Sequence, residues 1–226
     1  MMLPREALAF DVYGTLVDPI RIWQQLEQYL PDRALLVAQI WRQKQLEFTF
    51  RLTVMEQYQD FEQVTRMALD YALDATGLRL ADEQKQVLME QYNHLERFAD
   101  VTPGLQSLQE AGSTMVAFSN GSPAMLNPLI DAAQLRPYLQ RVISVDEVRM
   151  YKPSPKVYQH VAAVLDRPID QIRLISSNPF DVIGALAAGM QATWIDRSGG
   201  LFDPLGPRPQ MVVKTLTELA DLILDT

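Results

Sequence analysis

The sequence predicts an α/β protein, a parallel sheet covered by helices, with a long helical segment inserted after its first strand. Three observations carry this. The apolar run Ala7-Leu8-Ala9-Phe10 ends in Asp11 and a turn at Gly14. Such a run reads as a buried parallel strand that delivers a carboxylate at its C-terminal end. Residues 17–97 contain no strong strand run and are rich in Gln, Glu, Leu, Arg and Met, which are good helix formers. From about Thr102 onward, short apolar runs alternate with helical patterns, the signature of a parallel sheet with helices on both faces.

The elements follow in order. Strand 7–10 opens the sheet. In the inserted segment apolar residues recur at helical spacing, first Leu35, Ile40, Leu46 and Phe50, then Val54, Tyr58, Phe61, Val64 and Ala68. Gly77 reads as the residue that ends a helix, and Asp82 as the N-cap of the next, which runs to Asn93. About four helices fill this block. Helix 105–111 stops at Gly112, followed by strand 114–118, helix 123–133, strand 142–144 and helix 155–165. Strand 173–175 leads to helix 181–188, which stops at Gly189, and strand 192–195 precedes a Gly/Pro loop over 198–209. Strand 211–213 and helix 216–224 close the chain. The expected division is therefore a core of residues 1–16 and 98–226 and a helical cap of residues 17–97 above the C-terminal edge of the sheet.

Bulk properties narrow the function. With 20 basic against 28 acidic residues in 226, the net charge is −8. That balance argues against nucleic acid or an anionic membrane surface as partner. The sequence has no cysteine, which excludes disulfides, thiolate metal sites and thiol nucleophiles. Its two histidines, His94 and His160, have no motif context and leave little for a metal site or a Ser-His triad. No apolar run approaches the ~20 residues of a membrane span. Pro4, Arg5 and Glu6 precede an apolar run too short for a signal peptide, so a cytoplasmic protein is expected.

Four strand-end loops carry polar residues: Asp11-Val12-Tyr13-Gly14-Thr15, Ser119-Asn120-Gly121, Lys152-Pro153, and Ser176-Ser177-Asn178-Pro179-Phe180-Asp181. In a parallel sheet these converge on one crevice. A carboxylate, hydroxyls, amides and a lysine gathered there make a reaction site. Tyr13 matters most for its type, because a second carboxylate two positions after Asp11 would make a paired-acid site and Tyr13 denies it.

These segments resemble the haloacid dehalogenase superfamily at all four of its motifs, in order, and more closely its L-2-haloacid dehalogenases. The resemblance rests on Asp11-x-Tyr13-Gly14-Thr15-Leu16, on Ser119-Asn120-Gly121, and on Tyr151-Lys152-Pro153-x-Pro155-x-x-Tyr158. It also includes Ser176-Ser177-Asn178-x-Phe180-Asp181 and the segment Trp41-Arg42-Gln43-Lys44-Gln45-Leu46-Glu47. It covers nearly the whole chain and implies a Rossmann-like core with a helical cap, a short L-2-haloacid as substrate, no cofactor, no metal, and a homodimer.

By that resemblance Asp11 is the nucleophile that forms an aspartyl ester, and Thr15 orients it. Lys152 pairs with Asp11 and keeps it ionised, with Tyr158 supporting the lysine and the acid network. Arg42, Asn120 and Phe180 cradle the departing halide, for which guanidinium, amide N–H and an aromatic edge are suitable partners. Ser119 with its loop N–H groups binds the substrate carboxylate. Tyr13, Gln43, Leu46 and Phe61 line the substrate pocket. Ser176, Asn178 and Asp181 form the fourth loop, with Asn178 and Asp181 holding the water that hydrolyses the ester.

Each residue also has a plainer reading. Asp11 could cap a turn and Thr15 could satisfy one. Arg42 alone would be a solvated charge, Tyr13, Leu46, Phe61 and Tyr158 could be core, and Asp181 could be an N-cap. Two rival functions stay open at this stage. One is a Mg²⁺-dependent phosphatase of the same superfamily, the other a catalytically lapsed scaffold. The sequence leaves the preferred halide, the chain length and the physiological substrate undetermined.

Overall fold

A computed structural model describes residues 6–224; Pro4 and Arg5, read above at the N-terminus, lie outside them. Strand β1 (Ala7–Phe10) lies at the centre of a six-stranded, wholly parallel sheet. It pairs with β2 (Met115–Ser119) on one side and β4 (Ile172–Ser176) on the other. β3 (Arg141–Ser144) extends the first side, and β5 (Gln191–Ile195) and β6 (Met211–Val213) extend the second, giving the order β3-β2-β1-β4-β5-β6. Every residue of β1, β2 and β4 is buried, whereas the edge strands β3 and β6 are buried only in part. Burial on both faces is why these strands read as continuous apolar runs rather than as alternating ones. The chain builds outward from β1 on one side, then crosses to build on the other. The crevice at the carboxyl end of β1 is therefore the topological switch point where open α/β sheets bind ligands.

Helices α5 (Val101–Glu110), α6 (Pro123–Ala132), α7 (Pro155–Leu165), α8 (Pro179–Ala188) and α9 (Leu216–Leu224) cover the sheet. Most bounds fall within two residues of those read from the sequence. Two helices begin earlier. The first runs from Val101 rather than 105, and α8 starts at Pro179, because proline suits the first helical position. Asn178, not Asp181, is thus the residue that precedes α8.

Between β1 and α5 lie α1 (Trp23–Leu26), α2 (Ala34–Val54), α3 (Phe61–Thr76) and α4 (Asp82–Gln91). The buried face of α2 is Ala34, Val37, Ala38, Trp41, Gln45, Thr49 and Leu52, packed along α3 on Phe61, Val64, Thr65, Ala68, Leu69, Ala72 and Leu73. The periodicity read from the sequence was displaced. Leu35 is 48% and Val54 84% exposed, while Val54 and Phe61 sit on different helices separated by a loop. The α2–α3 seam carries polar members, Gln45, Thr49 and Thr65, that a purely apolar search passes over. Gly77 ends α3 in the left-handed conformation as expected. Asp82 is the first residue of α4 rather than its cap. Ala81 holds the cap position, and its N–H donates to the Gln84 side chain at 2.8 Å.

The chain leaves and re-enters the sheet region through a two-segment ribbon. Asp18 N–H donates to Glu96 O at 3.0 Å, Phe98 N–H donates to Leu16 O at 3.1 Å, and Val17 bridges Arg97 in antiparallel sense.

Candidate active site

Asp11 directly follows β1, and its N–H still donates to Ile175 O of β4 at 2.9 Å. The ladder therefore fixes its backbone, and its side chain projects at the sheet edge. Gly14 makes the turn behind it with φ +92°, a conformation that side chains disfavour. Three side chains hold the carboxylate. Oδ2 accepts from Thr15 Oγ1 at 2.9 Å and from Asn178 Nδ2 at 2.8 Å, and Oδ1 accepts from Lys152 Nζ at 3.0 Å. Asn178 also donates to Tyr13 O, while Ser177 N–H donates to Thr15 Oγ1 at 2.9 Å. The loops after β1 and β4 are thus laced together around one acid. Ser176, buried at the end of β4, accepts from Asn178 N–H at 3.1 Å and shapes that loop.

Lys152 is the electrostatic centre. Its buried ammonium donates to Asp11 Oδ1, to Asp181 Oδ2 at 2.8 Å and to Phe118 O at 2.9 Å, so all three of its protons have acceptors. Burial alone would lower its pKa. The two carboxylates outweigh that and hold it above the ordinary lysine value of 10.5. Asp181 is fully buried, and burial raises its carboxyl above the ordinary range, a rise that Lys152 only partly offsets. Tyr158 Oη donates to Asp181 Oδ1 at 2.8 Å, and burial followed by the Asp181 charge raises the phenol well above its usual range, so it stays a donor. Gly184 permits this approach. A Cβ there would lie 2.6 Å from Tyr158 Oη and 2.5 Å from Pro153 Cβ.

On the β2 side, Ser119 is fully buried and accepts from Gly121 N–H at 3.2 Å. Asn120 Oδ1 accepts from Lys152 N–H at 3.0 Å, which fixes the amide and leaves its NH₂ as the end free for a ligand. Helix α2 contributes a second face at i, i+4 and i+8: Arg42, Leu46 and Phe50. Arg42 donates to Tyr13 O at 3.1 Å and to Gln45 Oε1 at 2.7 Å. Gln45 in turn donates to Thr65 Oγ1 at 2.7 Å, and its Oε1 also accepts from Tyr92 Oη at 3.1 Å. Arg42 is therefore half-buried and anchored, not a solvated charge. Phe50 meets Phe180 edge-on at 5.0 Å between centroids, and Phe61 packs on Tyr13 at 5.4 Å. Tyr13 is buried, burial pushes its phenol far above the ordinary range, and among the described residues its hydroxyl has no hydrogen-bond partner.

Asp11, Tyr13, Arg42, Leu46, Phe61, Ser119, Asn120, Lys152, Asn178 and Phe180 enclose one cavity of about 10 Å³, room for about one water molecule. A groove of about 420 Å³ shares Arg42, Leu46 and Asn178 with it and runs out past Trp194 and Arg197. Thr15, Tyr158, Ser176 and Asp181 stand behind this lining. Gln43 is the exception and a correction: its side chain is exposed and lies outside the cavity wall. Successive helical residues point about 100° apart, so turning Arg42 inward turns Gln43 outward. The glutamine that matters is Gln45, which the sequence reading passed over. Its signal was the i, i+4, i+8 series Trp41, Gln45, Thr49 on the buried face. The carbonyl of Phe118 was also missed, and no side-chain pattern could have indicated it. Among the described residues, no three His, Asp or Glu side chains cluster as a metal site.

A family model described as haloacid dehalogenase-like hydrolase matches residues 6–189. The (S)-2-haloacid dehalogenase H-109 of Pseudomonas putida is 34% identical over 99% of this chain and 100% of its own length. The haloacetate dehalogenase H-2 of Moraxella sp. (strain B) is 35% identical over 96% of this chain and 97% of its own. Among solved structures, the L-2-haloacid dehalogenase of Xanthobacter autotrophicus with chloropropionic acid covalently bound superposes with a TM-score of 0.88. It is 32% identical and covers 98% of this chain and 99% of that one.

Proposed function

The chain belongs to the haloacid dehalogenase-like hydrolases, and on that premise we propose that it hydrolyses the carbon–halogen bond of short L-2-haloalkanoic acids to D-2-hydroxy acids. The observation that carries this is the asymmetry of Asp11: Oδ2 receives two donors and Oδ1 only Lys152. Oδ1 keeps a lone pair for attack, with the Lys152 ammonium as its one partner.

In the first step Oδ1 bonds to C2 from the side opposite the halogen. The C2–halogen bond breaks, halide leaves with the electron pair, and C2 inverts. Arg42, the Asn120 NH₂ and the Phe180 edge receive the halide, and Ser119 with its loop N–H groups holds the substrate carboxylate. The site already contains two carboxylates against one ammonium, so a third anion needs these donors. In the second step water beside Asn178 attacks Cγ of Asp11, with Asp181 standing behind it on Lys152. The Cγ–Oδ1 bond breaks, one proton of the attacking water passes to the product alkoxide and the other leaves to solvent, and the Asp11 carboxylate is restored. Halide leaves without protonation, which is why Tyr13 suffices where a phosphatase would need a general acid. The cation between the two carboxylates is the Lys152 ammonium, and the proposed reaction uses neither metal nor cofactor.

Residues 17–97 act in this proposal as a cap. A cavity of about 10 Å³ cannot admit a haloacid, so these helices move to let substrate in and close to exclude water from Asp11. The proposal extends to a cytoplasmic homodimer; Leu35, Leu36, Met55, Met67 and Tyr71 are exposed apolar residues on or beside α2 and α3. Among the described residues no helix is long and apolar enough to cross a membrane.

The test is halide release from L- and, separately, D-2-chloropropionate in excess EDTA. Chloride from the L form alone, unaffected by EDTA, is the expected result. No chloride from either form, with Mg²⁺-dependent phosphate release from an aryl phosphate, would overturn it.

A further inference from the structure

Arg197, just past β5, is not among the residues that line the cavity, yet two of its guanidinium nitrogens hold the turn that carries the nucleophile. Nε and Nη2 both donate to the backbone carbonyl of Thr15, at 3.1 and 2.7 Å. Nη1 donates to Asp100 Oδ1 at 2.8 Å, and the group lies over the Phe98 ring at 4.0 Å. The opposite end of Thr15 is the Oγ1 that donates to Asp11 Oδ2. One residue therefore connects Arg197 to the attacking carboxylate. Phe98 belongs to the ribbon through which the helical segment joins the sheet, and its N–H donates to Leu16 O. The same guanidinium thus grips both segments of the ribbon at the point where one of them becomes the nucleophile turn.

We infer that Arg197 is a positioning residue for the reaction: it fixes the Thr15 carbonyl, and through Thr15 the aim of Asp11, against motion of the helical segment about the ribbon. A charged, planar fork is suited to this, because two N–H groups on one carbonyl oxygen restrain it in direction as well as distance. The plainer alternative is a staple. Asp100 Oδ2 accepts from Leu216 N–H at the start of α9, so the Arg197–Asp100 pair could serve only to tie α9 to the core.

The inference rests on the dehalogenase proposal, and the two fail differently. Wild-type protein inert toward every haloacid sinks the proposal. Active wild type with indifferent Arg197 variants sinks the inference alone. The experiment compares steady-state kinetics on L-2-chloropropionate for Arg197→Met, Arg197→Lys and Asp100→Asn, with thermal melting of each. Expected for Arg197→Met is a kcat roughly 10- to 100-fold lower, the scale of a misaimed reacting group, with KM changed less than about threefold. Arg197→Lys, which keeps a donor for Thr15, recovers part of the loss. Because the Arg197 side chain borders the open groove, millimolar guanidinium ion should raise kcat of Arg197→Met. Asp100→Asn should lower the melting temperature yet keep kcat. If Asp100→Asn loses as much kcat as Arg197→Met, or if Arg197→Met melts early while its folded fraction retains full kcat, the staple is the correct account. Should Arg197→Met not fold, the lysine variant decides: reduced kcat at unchanged KM supports the role, and wild-type kcat overturns it.

Discussion

The two walls of the cavity are built by different means. On the sheet side, Asp11, Ser119, Asn120 and Asn178 sit within a residue or two of strand ends, so the hydrogen-bonded ladder places their backbones before any side-chain contact forms. Ion pairs and amides then fix the side chains. On the helical side, Arg42, Leu46 and Phe61 depend on the rotation and depth of α2 and α3, which the seam sets through Trp41, Gln45 and Thr65. The sheet wall supplies fixed charge, and the helical wall supplies shape and one cation held by a buried polar chain. A wall of the first kind suits covalent chemistry, which needs an aimed nucleophile. A wall of the second kind can move away to admit substrate.

The difference predicts unequal consequences of damage. Lys152→Met should be the most severe. It strands two buried carboxylates without their cation, costing about 3–5 kcal/mol of stability by urea unfolding and abolishing halide release. Its pH dependence has a definite sign. Lys152 titrates above 10.5 in the folded protein, so its contribution is complete below that value and is lost only as pH rises through the raised folded value. The stability gap between wild type and variant should therefore persist through neutral pH and narrow only in strong alkali. A gap that narrows near pH 7 would mean Lys152 is not charged as described.

Gln45→Leu acts on the other wall. It removes the acceptor of Tyr92 Oη and of one Arg42 nitrogen, and the donor to Thr65 Oγ1, which still donates to Phe61 O, for about 1–3 kcal/mol of stability. Freed from one anchor, Arg42 should receive halide less well, seen as a roughly tenfold loss in kcat/KM with Asp11 chemistry otherwise intact. Unaltered kinetics would detach Arg42 from the reaction. Gln43→Ala should do least, within about 0.5 kcal/mol and with wild-type KM, because that side chain faces solvent. A raised KM would return Gln43 to the pocket.

The same contrast explains what was legible in the sequence. The strand-end residues could be found because a strand terminus plus a turn locates a side chain almost uniquely. Lys152, several residues beyond β3, was legible only as part of the Tyr151–Tyr158 motif. The helical wall was harder, since a shift of one residue turns a side chain by about 100°. The resemblance put Gln43 in the pocket and passed over Gln45, and helical spacing assigned Leu35 and Val54 to a buried stripe that they do not join. Asp82 is of a type that favours the cap position. The structure instead uses Ala81 with the Gln84 side chain turned back onto its N–H. Arg197 lay beyond any motif, since its partner is a backbone carbonyl and no side-chain pattern records one.

The central claim is that the Asp11 carboxylate, not water, attacks the carbon bearing the halogen. The direct measurement is a single turnover of excess enzyme with L-2-chloropropionate in H₂¹⁸O, followed by mass analysis of the lactate and of the peptide containing Asp11. Unlabelled lactate and one ¹⁸O in Asp11 are expected, because the first product oxygen comes from the carboxylate and water refills it. Labelled lactate with unlabelled Asp11 would contradict that claim.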